Sequence, residues 1–277
     1  MAKSSKTVKI ATAAIVVVVA IAAIGFVLLG GLGADDRTAL EKIQDRGKLI
    51  VGTSSGFPPF EIANGSAPYG VEGFDIDLAK KIADKLGVEL EVQDLGFDAL
   101  IQSVKDGKID VVLAGMTINS DRAESVLFSN PYFVDQNINQ SVIVKSTTAG
   151  IEGIDDLAGK VITVNSGTTG YYWVEENLVN AGKVNAKDVI GFSTASDTIQ
   201  ELKRANGADV IIIDSAVAKE FVEKNDGIRI AFSIPTNESY GVAVGLGETT
   251  LADEINDLLA EMESNGEMDA LREKWGI

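Results

Sequence analysis

The sequence predicts an α/β protein of two similar halves, and three observations carry that prediction. Short β-branched runs alternate with segments of helical periodicity from Leu49 onward, the pattern of sheets built from strand–helix–strand units with parallel strands. A helix–turn–strand grammar occurs twice: Asp98 to Asp110 spans the same interval as Asp197 to Asp209, each pair enclosing a helix and a glycine-containing turn before an apolar strand. With 277 residues, 45% of them hydrophobic, the chain is long enough to bury two modest cores.

The N-terminal segment comes first. Lys3, Lys6 and Lys9 precede an uncharged stretch from Ile10 to Ala34, and Asp35 and Asp36 follow at once. That charge order leaves the N-terminus in the cytoplasm and exports the rest. The apolar run from Ile10 to Leu29 approaches the about 20 residues of a spanning helix. Residues 1–34 are therefore expected to be a membrane anchor, with residues 10–32 in the cytoplasmic membrane. A cleaved signal peptide, with Gly31 and Gly33 before a cut ahead of Ala34, is the alternative. Both place the remainder in a periplasm or on the outer cell surface.

Beyond it, KLIVGTS reads as the first strand, and GFDIDLAKKIADKLG places Ile76, Ala79, Ile82, Ala83 and Leu86 on one helical face with Gly87 as the stop. LEVQDL is a second strand, DALIQSVKDG a short helix, and KIDVVLAGM a third strand whose apolar continuity suggests burial on both faces. In the second half GKVITVNSG and ADVIIIDS read as strands, YYWVEENLVNAG and DTIQELKRANG as helices. IRIAFSI and YGVAVGLG are strand-like, and Leu251 to Trp275 is strongly helical. Polar and aromatic breaks at 132–136 and 236–240 mark two expected hinges. They leave one lobe from residues 35–131 and 241–277 and a second from residues 137–235, an arrangement suited to closure.

Composition narrows the chemistry. Taking Lys3, Lys6 and Lys9 from the 24 basic residues leaves 21 against 41 acidic, a net charge of −20 after the leader. Such a surface repels phosphate backbones, so no nucleic-acid partner is expected. The chain has neither Cys nor His, which removes disulfides, thiolate metal sites, serine–histidine triads and His-ligated zinc. No cofactor, metal site or catalytic residue is expected.

Candidate binding residues lie where open α/β sheets bind ligands, outside the carboxyl ends of strands. In the register of the repeat, Gly115 and Asp214 fall at matching strand ends. Arg122 follows the strand end Gly115–Met116–Thr117, with Asn119 or Ser120 placed to cap the next helix. Its guanidinium can grip a carboxylate with two parallel hydrogen bonds, helped by Thr117, or can pair on the surface with Asp121 or Glu124. NSGTTG, with Thr168 and Thr169, offers N–H groups and hydroxyls to an anion at a helix start. Asp214 ends an apolar run and either caps the next helix or meets a cation such as an α-ammonium group. Phe57 and Phe97, at strand exits, either belong to the core or sandwich a solute side chain.

GTSSGFPPFEI, GVEGFDIDLAKKIADKLG, DALIQSVKDGKIDVVLAGMTI, RAESVLFSNPYF and DDLAGKVITVNSGTTG occur in that order. In order and spacing the chain resembles the extracytoplasmic substrate-binding proteins of amino-acid ABC importers, of the polar amino-acid type, from Leu40 to Trp275. The resemblance implies a two-lobed periplasmic-binding-protein-like fold, a monomer, an amino-acid ligand and an ABC permease as partner. It implies that Arg122 and Thr117 hold the ligand carboxylate with N–H groups around Thr168 and Thr169. Asp214 and the Gly115 carbonyl would hold the ammonium, and Phe57 and Phe97 the side chain. Ser54 stands where many relatives have Asp, which leads to the expectation of a neutral side chain in preference to a basic one. The alternatives are a dehydratase of prephenate type on the same fold and an extracellular sensor module.

Overall fold

The computed structural model describes residues 37–134 and 139–277. Residues 39–277 form one compact unit. The expected anchor or signal segment, residues 1–34, lies outside the described residues, as do residues 135–136 of the first expected hinge. Among the described residues no helix is long and apolar enough to cross a membrane.

In chain order the described strands are β1 (Lys48–Thr53), β2 (Ile62–Ala63), β3 (Val71–Glu72), β4 (Glu89–Asp94), β5 (Val111–Val112), β6 (Val126–Val134), β7 (Gln140–Lys145), β8 (Ile162–Asn165), β9 (Val189–Phe192), β10 (Val210–Asp214), β11 (Ile228–Ile234) and β12 (Ser239–Gly245). They build two five-stranded sheets, ordered β4-β1-β5-β12-β6 and β11-β7-β10-β8-β9, with β2 and β3 as a small hairpin. Each sheet is the core of one lobe. The sheets are mixed where parallel ones were expected: β12 runs antiparallel to β5 and β6, and β7 antiparallel to β10 and β11. The cause is the crossing of the chain between lobes. It leaves the first sheet after Val134 and returns between Ile234 and Ser239, and each crossing strand enters its new sheet against the direction of the βαβ strands.

The helices follow their apolar faces. Phe74–Leu86 buries Ile76, Ala79, Ile82 and Ala83 and ends at Gly87, whose φ of 72° is left-handed backbone that glycine adopts without steric cost. The helical tail is two helices, Thr249–Asn265 and Glu267–Trp275, because Gly266 at φ 82° breaks the run. The third expected strand is a ladder of only two residues, Val111 and Val112, although burial continues through Leu113 and Ala114.

The repeat has a physical counterpart. Asp110 donates its N–H to Ile50 O at 2.8 Å and accepts the Ile50 N–H on Oδ2 at 2.7 Å. Asp209 does the same with Val161, at 2.8 and 2.9 Å. In both lobes one aspartate clamps the start of a buried strand to its parallel neighbour, which fixes the register that carries Gly115 and Asp214 to the strand exits.

Candidate functional site

The strand exits of the two sheets face each other across a cleft in which four buried carboxyl groups, Glu61, Asp75, Asp214 and Glu238, accompany one buried guanidinium, Arg122. Arg122 sits on a short helix, Ser120–Ala123, capped by Asn119, whose Oδ1 accepts the Arg122 N–H at 2.9 Å. The guanidinium donates to Thr117 O at 2.8 Å and, from the first lobe into the second, to Gly167 O at 3.1 Å. It lies 5.3 Å from the Phe97 ring centroid, a cation–π contact. Among the described residues it forms no ion pair, so the surface pairing with Asp121 or Glu124 is not adopted. Burial pushes its pKa down, and the nearby Asp214 and Glu238 charges offset part of that effect.

Asp214 heads the helix Ser215–Lys224 without a side-chain capping bond, so its carboxylate is not spent there. It accepts instead from Gln140 Nε2 at 2.6 Å and from the Tyr240 hydroxyl. Desolvation, then the Glu238 charge, raises its pKa to about 7, against the opposing hydrogen bonds of Tyr240 and Gln140. Glu238 accepts from Thr117 Oγ1 at 2.7 Å, Thr169 Oγ1 at 2.8 Å and Gln140 Nε2 at 2.9 Å.

The remaining sequence candidates divide into those at this cluster and those beside it. Gly115 takes φ 52° and donates its N–H to Asp75 Oδ2 at 2.8 Å, and a β-carbon there would stand 2.5 Å from a Phe57 ring carbon. Phe57 packs against Phe60 and Tyr240, with centroids 5.9 and 6.4 Å away. Met116 is fully buried in the apolar cluster that contains Phe97. Thr168 caps the helix Thr169–Val174: its hydroxyl accepts from Tyr171 N at 3.2 Å and donates to Asn165 O at 2.7 Å. Ser54 is buried at the end of the first strand. A cavity of about 470 Å³ reaches Phe97, Met116, Arg122, Gly167 and Tyr172, so Arg122 belongs both to its wall and to the polar cluster. A cavity of about 540 Å³ elsewhere shares none of these residues.

Sequence reasoning missed Gln140, Glu238, Glu61, Asp75 and Tyr240 as members of this group. Glu61 is fully buried with no partner for either oxygen, and burial, then the charges of Asp75, Asp94 and Asp214, holds its pKa well above the usual carboxylate range. The signal for Gln140 was a polar residue opening an apolar strand. Glu238 stood in a break that was legible only as a hinge.

The lobes touch at further points: Ser196 Oγ donates to Gly56 O at 3.1 Å, and Phe97 N to Ser193 O at 3.2 Å. The two lobes thus meet over a charged, buried cluster. Comparison with known proteins shows what the chain is similar to. The arginine-binding extracellular protein ArtP of Bacillus subtilis (strain 168) is 36% identical over 236 residues, covering 82% of this chain and 86% of that protein. The L-cystine-binding protein TcyJ of Escherichia coli (strain K12) is 31% identical over 241 residues, 87% of this chain and 86% of that protein. The crystal structure of the P235GK mutant of ArgBP from T. maritima superposes with a TM-score of 0.77 at 40% identity, covering 86% of this chain and 98% of that one. These relatives are binding proteins. Residues 49–277 match a single family over most of the chain, and the protein belongs to the bacterial extracellular solute-binding proteins, family 3.

Proposed function

We propose that this protein captures a free amino acid between its lobes and hands it to an ABC permease, with no covalent step. The observation that carries the reading is Arg122 and Asp214, two buried and opposite charges, within one polar cluster at facing strand exits. The guanidinium, with two hydrogen bonds made to carbonyls, has further donors for a carboxylate. Asp214 and the Gly115 carbonyl serve the α-ammonium group, and Phe57, Phe97, Met116 and Ser54 surround the side chain.

The charge balance refines the solute. Burial holds Glu61, Asp75 and Asp214 above the usual carboxylate range, so these acids take up protons in the absence of a cation and ionise when one is placed beside them. A solute with two cationic groups and one carboxylate draws on that capacity. This supports a basic amino acid, arginine foremost, in place of the neutral one expected from Ser54, which is buried just past the first strand. The names of ArtP and ArgBP support the same class.

The segments around residues 132–136 and 236–240 act as the hinges of closure, and residues 10–32 anchor a monomer to the membrane. If so, protein from its native host pellets with membranes and keeps its N-terminal lysines. A soluble chain beginning at Ala34 favours the cleaved signal. The binding reading is tested by thermal shift against the common amino acids, where a ligand at 100 times its Kd adds about 2.7 kcal/mol of stability. Arginine should give the largest shift. No shift with any amino acid, or turnover of a prephenate-like acid seen by product absorbance, would overturn the reading.

A further inference from the structure

Beside Arg122, the donor to the solute carboxylate in the proposed reading, stand Thr117 and Thr169, and a protein carboxylate already holds the hydroxyls of both. Thr117 Oγ1 and Thr169 Oγ1 both donate to Oε2 of Glu238, at 2.7 and 2.8 Å. A hydroxyl has one proton to give, so each threonine spends its own on Glu238. Thr117 belongs to the first lobe and Thr169 to the second. Glu238 therefore bridges the lobes through two hydroxyls that lie where an enclosed α-carboxylate beside Arg122 needs donors.

Position allows this side chain to leave. Residues 235–238 belong to neither sheet, so Glu238 can withdraw without breaking a ladder. Asn237 immediately before it takes φ 51°, left-handed backbone that asparagine adopts more readily than other non-glycine residues, as in a turn between two strands. Two carboxylates on one pair of hydroxyls would also repel each other.

We infer that Glu238 is a built-in competitor for the carboxylate subsite, displaced from Thr117 and Thr169 when an amino acid binds. The inference rests on the amino-acid reading. It has a consequence of unusual sign: truncating a buried polar residue inside the binding site strengthens binding.

The test is calorimetric titration of the full chain with arginine and with agmatine, which keeps the guanidinium and amine but lacks the carboxylate. Glu238→Ala should lower the arginine Kd about tenfold or more, the value of one charge-assisted contact regained. Agmatine, which does not compete for the threonines, should change by less than about threefold. Glu238→Gln, which keeps the shape and loses the charge, should fall between and serves if the alanine variant does not fold. Arginine binding that is unchanged or weaker in a folded variant would overturn the role of Glu238, as would equal gains for both probes. A wild-type chain that binds neither probe nor any other amino acid overturns the amino-acid reading itself, and this inference with it.

Discussion

Asp214 is an acid whose pKa of about 7 comes from burial and from Glu238 beside it. A solute ammonium placed against it favours the charged form, so binding near or below pH 7 must release a proton. Calorimetry of arginine binding at pH 6 in buffers of different ionisation enthalpy should show that release, and Asp214→Asn should abolish it. The same variant should weaken arginine more than an analogue lacking the α-amino group. Equal losses for both would return Asp214 to a structural role. Asp214 stood out as a candidate in the sequence because a lone charge at the end of an apolar run has few inexpensive explanations, whereas Arg122, beyond the strand end and next to Asp121, left a surface pairing equally open. Glu238 did not stand out, because a connector has no periodicity and its partners, Thr117, Gln140 and Thr169, are remote in sequence.

At the scale of elements, the exit of the third strand shows how backbone and site are joined. Gly115 needs its left-handed φ and the space now held by the Phe57 ring, and Asp75 takes its N–H together with the Tyr132 hydroxyl. Gly115→Ala should cost about 1–3 kcal/mol of stability by denaturant unfolding and weaken arginine binding as well, since Thr117 lies two residues on. A stable variant with unchanged affinity would mean that this exit does not position the site. The βαβ order, the Gly87 stop and the Asp110 and Asp209 repeat were readable as local pattern. The antiparallel entry of β7 and β12 was not, because strand direction follows from where the chain crosses between lobes. The break at Gly266 was lost inside a run whose apolar spacing continues past it.

For the whole molecule, buried acids set the pH response. Asp75 and Asp214 titrate at about 7 in the folded protein against an ordinary 3.8. Between those values the folded form binds more protons than the unfolded one, so stability falls as pH rises from about 4 to about 7 and then levels off. The large negative charge of the exported part acts in the same direction. Melting temperatures across pH 5 to 8 should fall with rising pH, and saturating arginine should flatten the slope because a cation beside Asp214 favours its ionised form. The central claim is that Arg122 clamps the carboxylate of an enclosed amino acid, and titration of wild type and Arg122→Ala with arginine tests it most directly. One arginine per chain should bind the wild type, and the variant should unfold cooperatively yet show no detectable binding, a loss of about 100-fold or more. An Arg122→Ala affinity within about threefold of wild type would contradict the account.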